Sequence, residues 1–122
     1  MFLTLEEVLL DVASSPGFES VDVVGVNSCS SSGETPLHWM AFLGDVAGTS
    51  ILLEAGANIN AVNNKGNTPL HEATACRQVP VIKLLIGCGA STRIKNMAGF
   101  TALELAVVDG YEPSVEILKA VL

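Results

Sequence analysis

GNTPLHEA, at residues 66–73, has two counterparts in this chain of 122 residues: GETPLHWM at residues 33–40 and GFTALELA at residues 99–106. The phrase therefore returns at an interval of 33 residues. Further positions coincide at the same interval: Gly33, Gly66 and Gly99; Thr35, Thr68 and Thr101; Leu37, Leu70 and Leu103; Ala41, Thr74 and Val107; Ile51-Leu52, Leu84-Leu85 and Ile117-Leu118. A fixed period of about 20 to 50 residues is typical of a solenoid, whose units bury their apolar faces against their neighbours.

The middle copy predicts the start of a helix. Gly66 can take the positive φ that a turn requires. Thr68 is a suitable N-cap, and Pro69 follows at the first helical position, where its missing N–H costs nothing. Leu70 and Ala73 then lie on one face at helical spacing, so we expect a first helix here.

A second helix and a loop complete the predicted unit. PVIKLLIGCG, at residues 80–89, opens with proline and closes at Gly87 or Gly89. GANINAVNNKGN, at residues 56–67, has the alternation and the Asn/Gly content of a hairpin-like turn. Each unit is therefore predicted to be helix, turn, helix and hairpin loop.

These motifs resemble those of ankyrin repeats. TPLH at a helix start, the apolar segment ILLEAGANIN at 51–60 and the period of 33 residues carry the resemblance, from about residue 21 to residue 122. It implies an all-α ankyrin-repeat solenoid in one domain, 1–122. We expect an N-terminal capping unit at 1–29, full repeats at 30–62 and 63–95, and a C-terminal capping repeat at 96–122.

The two ends of the chain depart from the repeat. TLEE, at residues 4–7, is a capping-box start, and Leu5, Val8, Leu9 and Val12 predict an amphipathic helix of about ten residues. SSPGFES, which follows, interrupts it. In the third unit Ala102 and Glu104 replace proline and histidine, as is common in a terminal repeat.

Arg77 is a further departure. It stands between the two helices of the middle unit, where the family usually has glycine and where Gly44 and Gly110 keep it. The substitution predicts either a strained backbone at Arg77 or a locally altered turn.

The composition and the charge exclude several functions. Apolar residues make up 49% and charged residues 16%, which indicates a globular chain. Six basic and thirteen acidic residues give a net charge of −7, which disfavours nucleic-acid and anionic-membrane binding. Residues 1–64 contain no Lys or Arg. This half is either a solvated surface or a field that steers a basic partner.

The cysteines and the N-terminus favour the cytoplasm. Cys29, Cys76 and Cys88 are odd in number and lack CxxC spacing, which indicates reduced thiols. The N-terminal segment has no basic region and is a poor signal peptide. No apolar run is long enough to span a bilayer.

The sequence predicts no catalytic residue, cofactor or metal. His38 and His71 both lie inside TPLH, where we expect each ring to hold the neighbouring turn. Cys76, Cys88 and His71 are the only loose candidates for zinc, which needs three or four ligands at suitable spacing. Neither a Walker loop nor a GxSxG elbow is present.

The resemblance implies a partner-binding surface at the hairpin tips and on the exposed side of the first helices. Trp39 is either a core- or edge-packing residue or a binding anchor of the kind enriched in hot spots. Aromatic groups ringed by acids suit a basic, partly apolar partner. The predicted binding residues are Glu34, Trp39, Phe42, Leu43, Asp45, Asn64, Lys65, Asn67, Glu72, Cys76, Met97, Phe100, Asp109 and Tyr111.

Several functions fit such a surface. Small stand-alone ankyrin-repeat proteins of bacteria are similar to this chain, and some resemble immunity proteins. We therefore expect a complete protein that binds a partner and blocks it sterically, such as a basic toxin or enzyme. A non-inhibitory scaffold or adaptor is the alternative, and a piece of a longer ankyrin protein is a further one. The oligomeric state stays open.

Overall fold

The computed structural model describes residues 4–15, 18 and 25–121, and over these the chain forms seven α-helices and no strand. The all-α prediction is confirmed. The helices are α1 (Leu5–Ala13), α2 (Pro36–Leu43), α3 (Val46–Glu54), α4 (Pro69–Ala75), α5 (Val79–Gly87), α6 (Ala102–Asp109) and α7 (Glu112–Lys119). None of the helices in these ranges is long and apolar enough to cross a membrane.

The helices stack in two layers. Helices α2, α4 and α6 pack side by side, and α3, α5 and α7 form the second layer behind them. Helix α1 packs against α3 and α2, at the edge of the first helix pair. Helices of 7–9 residues are too short to be stable alone, so their stability comes from burial against these neighbours.

The first helix of each pair starts with the same cap. The side chains of Thr35, Thr68 and Thr101 accept hydrogen bonds from the backbone N–H three residues later. The side chain at that later position accepts in return from the threonine N–H, which completes a capping box. The N-cap that the sequence predicts at Thr68 is confirmed.

The N-terminal helix forms where it is predicted, but its capping box is incomplete. The Thr4 side chain caps α1 by accepting a hydrogen bond from the N–H of Glu7. The Glu7 carboxylate accepts a hydrogen bond from the Thr4 hydroxyl and not from the Thr4 N–H. Val8 and Val12 are fully buried. Leu5 and Leu9 are partly buried and pack against the same core. Residues 1–3, 16–17, 19–24 and 122 of the predicted capping units lie outside the described residues, and the unit boundaries stay predictions.

One repeated position changes its environment in the third unit. Ala41 and Thr74 are buried, whereas Val107 is 57% exposed. The sequence places these three residues at one equivalent, apolar site. Val107 differs because no helix of the described ranges packs beyond α6, where the next unit of a longer stack would lie.

Arg77 has a left-handed backbone, which is the first of the two alternatives that its alignment with glycines left open. Its φ is 57°, and Gly44 and Gly110 at the equivalent positions have φ of 75° and 74°. The Arg77 Nε–H donates to Asp109 Oδ2 at 3.0 Å, and Nη2 donates to Oδ1 at 3.2 Å. The guanidinium also lies 4.9 Å from the centre of the Tyr111 ring. These contacts link α4 to the far end of α6.

Two substitutions at this position separate backbone strain from side-chain contacts. Arg77→Gly and Arg77→Ala both remove the ion pair and the ring contact, but only glycine is free of the steric cost of positive φ. We expect the glycine variant to be more stable than the alanine variant by about 1 kcal/mol in urea unfolding. Equal stabilities would show that the backbone at residue 77 relaxes at no cost.

Candidate functional site

Each of the three hairpin loops is held by one side chain at an equivalent position, an asparagine in two loops and a serine in the first. Asn63 Oδ1 accepts from the N–H groups of Lys65 and Asn67, both at 3.0 Å, and Asn96 Oδ1 accepts likewise from Ala98 and Phe100. The hydroxyl of Ser30 accepts from Ser32 and Glu34 in the first loop. These hydrogen bonds therefore close each loop and fix the conformation of its tip. Asn63 and Asn96 are not among the residues predicted from the sequence, although their spacing of one period was a signal for them.

The two histidines tie each repeat to the next. His38 Nε2 lies 2.7 Å from the carbonyl oxygen of Asn67, and His71 Nε2 lies 2.9 Å from that of Phe100. Each Nδ1 accepts from the N–H of its own N-cap threonine at 3.1 Å. The expectation that the rings hold the neighbouring turn is confirmed. Both rings are neutral in this arrangement, with the proton on Nε2.

Because the two histidine rings are buried, we expect the free energy of unfolding to decrease in mild acid. Burial lowers the pKa of His38 and of His71 below 6.5, because it disfavours the charged imidazole. Below pH 6.5 the unfolded chain binds protons that the folded chain refuses, so the free energy of unfolding decreases as the pH falls. We expect a lower melting temperature at pH 5.5 than at pH 7.5.

The histidine ring protons provide the direct measurement. Their NMR titration midpoints should lie below 6.5 in the folded chain and near 6.5 in urea. Burial raises the pKa of Glu34 and opposes the trend, since this carboxyl favours the folded state as it takes up its proton. Folded-state midpoints at or above 6.5 for both rings would contradict the prediction.

A groove lies between the first two hairpin loops and the first helices. Its volume is about 220 Å³, and it is lined by Phe18, Ser30, Ser32, Glu34, Trp39, Phe42, Lys65 and Glu72. The rings of Trp39 and Phe42, one helical turn apart on α2, stack with centroids 5.4 Å apart and planes 17° from parallel. We call this space the aromatic groove. Phe18 is a component of the groove that the sequence analysis missed.

Two carboxylates form the polar side of the aromatic groove. Asn63 Nδ2 donates to Glu34 Oε1 and to Glu72 Oε1, each at 2.9 Å. The two oxygens are therefore within about 6 Å of each other. Burial raises the pKa of Glu34, the negative charge of Glu72 adds to this, and the Asn63 amide and Lys65 act in the opposite direction.

A second, more open groove lies at the tips of the later hairpins. It has a volume of about 460 Å³ and is lined by Asn64, Lys65, Asn67, Asn96, Met97 and Ala98. Asn96 Nδ2 donates to Asn67 Oδ1 at 3.0 Å, which joins the two loops. Met97 is 80% exposed. We call this space the asparagine groove; Lys65 lines both grooves.

The remaining predicted residues lie outside these two grooves. The Asp45 carboxylate caps α3 by accepting from Gly48 N–H at 2.7 Å. Cys76 is the C-cap residue of α4, and burial raises the pKa of its thiol. Leu43 is exposed, and Phe100 is partly buried, with its carbonyl oxygen bonded to His71 Nε2. Asp109 and Tyr111 both contact the side chain of Arg77. Their binding roles stay predictions.

Trp39 packs against the core, which agrees with the first of its two interpretations, and its role as a binding anchor stays a prediction. It is partly buried and also lines the aromatic groove. Across the described ranges, no group of three or more His, Cys, Asp or Glu side chains is placed to hold a metal ion.

The repeat architecture has a counterpart among known protein families. The family model described as Ankyrin repeats (3 copies) matches residues 9–96. No curated protein matches the chain. The family match begins within α1 and ends before α6, so it starts earlier and stops earlier than the resemblance in the sequence. The part beyond it contains Ala102 and Glu104, which depart from the TPLH pattern.

Proposed function

The chain belongs to the ankyrin-repeat family, a family of protein–protein interaction modules, and we propose that it binds and occludes a protein with a basic, partly apolar surface. The binding face in this proposal consists of the aromatic groove and the asparagine groove. One observation carries it: the stacked rings of Trp39 and Phe42 line the same groove as the carboxylates of Glu34 and Glu72.

Exposed apolar groups on this face favour an interface. Phe42 is 46% exposed and Met97 is 80% exposed, so both side chains leave apolar area in water that a partner would cover. Aromatic and methionine side chains are enriched at the centres of protein interfaces. The Trp39–Phe42 pair fits the anchor at such a centre.

The charges favour a basic partner. Glu34 and Glu72 line the aromatic groove, against Lys65 as its one basic lining residue. The whole chain carries a net charge of −7, which adds a long-range field of the same sign. Such a field accelerates encounter with a cationic surface and is screened by salt.

Inhibition by occlusion, in the manner of an immunity protein acting on a basic toxin or enzyme, is the specific form of the proposal. When a partner spans both grooves, the covered part of its surface can no longer contact other molecules. No catalytic step is part of this function. The cytoplasm is the location that we propose, because Cys29, Cys76 and Cys88 form no disulfide.

A pull-down with two matched variants tests the binding face. Phe42 and Leu43 are adjacent and equally exposed, at 46%, but only Phe42 lines a groove. We expect Phe42→Ala to weaken capture of a partner by at least about tenfold, as for an anchor residue, and Leu43→Ala to leave it nearly unchanged. Higher salt should also weaken capture.

The partner's own activity then separates inhibition from scaffolding. Loss of that activity when the chain is added supports occlusion, whereas an unchanged activity in the complex supports a non-inhibitory adaptor. Capture that is equally sensitive to Leu43→Ala and Phe42→Ala would contradict the assignment of the binding face.

A further inference from the structure

The aromatic groove has the size and the walls of a receptor for one side chain. Its volume is about 220 Å³. A helix with its side chains is about 10 Å wide and is too large to enter such a space, so what enters is a single extended group. One part of the lining is aromatic and consists of the buried Phe18 and of Trp39 and Phe42, whose rings stack on each other.

The polar part of the lining presents acceptors for a cation. Hydrogen bonds from the described residues to Glu34 and Glu72 reach Oε1 of each carboxylate: from Asn63 to both, and from Asn67 at 3.4 Å to Glu72. A carboxylate has about four acceptor sites, so both groups keep capacity for further donors. The shared amide fixes the two carboxylates side by side.

Among the described residues neither carboxylate of the pair forms a salt bridge, although the charge of Lys65 acts to lower the pKa of Glu34. Lys65 lines the groove, but within the described ranges the salt bridge that forms is between Arg77 and Asp109. Burial and the charge of Glu72 raise the pKa of Glu34, which indicates that the site holds its negative charge at a cost. A cation entering the groove relieves that cost.

A guanidinium matches these two parts of the lining better than an ammonium. It is planar and stacks on aromatic faces, and its N–H groups form a fork that can reach two carboxylates at once. An ammonium is a compact, strongly hydrated point charge that loses more hydration when it enters a partly apolar groove. An anion is repelled by Glu34 and Glu72.

We propose that the aromatic groove receives the side chain of one arginine of the partner protein, with its guanidinium packed against the Trp39–Phe42 pair and donating to Glu34 and Glu72. This inference rests on the proposed binding of a protein partner and specifies what that partner inserts. The arginine is the central anchor of the interface, and the asparagine groove contacts the residues beside it.

The tryptophan offers a specific readout, because the chain contains a single one, Trp39. The intact chain is titrated with N-acetyl-arginine methylamide and, in parallel, with the citrulline and lysine derivatives, while Trp39 fluorescence and its indole N–H resonance are followed. Citrulline has nearly the shape of arginine without its charge. We expect a saturable response to arginine in the millimolar range and at least about tenfold weaker binding of citrulline.

Isosteric variants test the carboxylates. Glu34→Gln with Glu72→Gln should weaken arginine binding by about tenfold or more, whereas Glu54→Gln, at an exposed acid at the end of α3, should not change it. Circular dichroism establishes that each variant is folded. Equal binding of arginine and citrulline, equal or tighter binding of lysine, or insensitivity to the double variant would overturn the proposal.

The two proposals fail in different ways. If a protein is captured in a manner that depends on Phe42 but the arginine derivative does not bind at Trp39, the arginine inference is wrong and the binding face stands. If the derivative binds as expected but no captured protein depends on Phe42, the groove recognises arginine and the proposed protein-binding function is wrong.

Discussion

Gly66→Ala is expected to lower the free energy of unfolding by about 2–5 kcal/mol, against about 1–2 kcal/mol for Gly99→Ala. The two glycines are equivalent, one repeat apart, with φ of 75° and 87°, so alanine pays a similar backbone cost at both. A Cβ at residue 66, however, would lie 2.8 Å from the backbone nitrogen of Met97, whereas one at residue 99 would meet nothing within 4 Å.

The contact at residue 66 is with backbone, which cannot rotate away. The N–H of Met97 donates to the Lys65 carbonyl at 3.0 Å, so a methyl group here pushes apart the two hairpins that this bond joins. Urea unfolding of both variants against the parent chain measures the difference. Equal losses would show that the third hairpin moves aside freely and that the two loops are weakly coupled.

His71→Ala is the second large effect, at about 2–4 kcal/mol. The ring is buried, and its removal leaves the Phe100 carbonyl and the Thr68 N–H without their partners. Each buried polar group left in this way costs about 1–3 kcal/mol. At the equivalent position of the third unit, the exposed Glu104 makes only the return bond to Thr101, so Glu104→Ala should cost about 1 kcal/mol.

His71→Gln separates the two functions of the ring. Glutamine can complete a capping box with Thr68, as Glu104 does with Thr101, but it lacks the ring that reaches Phe100. Its stability should therefore lie between those of His71→Ala and the parent chain. A glutamine variant as stable as the parent would mean that the bond to the next repeat contributes nothing, and the histidine would then be only a cap.

The local features were readable from the sequence because each depends on neighbouring residues. Thr68 next to Pro69 is enough to predict a helix start, and the alignment of Arg77 with two glycines is enough to predict either a strained backbone or an altered turn there. The grooves were harder to predict, because the aromatic groove is assembled from three separate segments and the asparagine groove from two. Phe18 belongs to the segment SSPGFES, which the sequence marks only as an interruption after the first helix, yet it is buried and lines the aromatic groove.

The candidate site shows the same limit at Asn63. Asn63 was not among the predicted residues, and although it recurs one period later as Asn96, no periodicity reveals that its amide bridges Glu34 and Glu72, since the first unit has Ser30 at the equivalent position. Trp39 occupies a position that repeats as Glu72 and Leu105, so the pattern could not assign it to the core or to the surface. Packing between units decides both questions.

The bonds between hairpins have a consequence for how such a chain can lengthen. Asn64 N–H donates to the Ser32 carbonyl and Met97 N–H to the Lys65 carbonyl, both at 3.0 Å, and the histidine bonds recur in the same register. A tandem duplication of residues 63–95 would therefore arrive with a matching donor and acceptor at each new junction. Recombination can add units in the interior, whereas Glu104 offers no equivalent bond to a unit appended at the end.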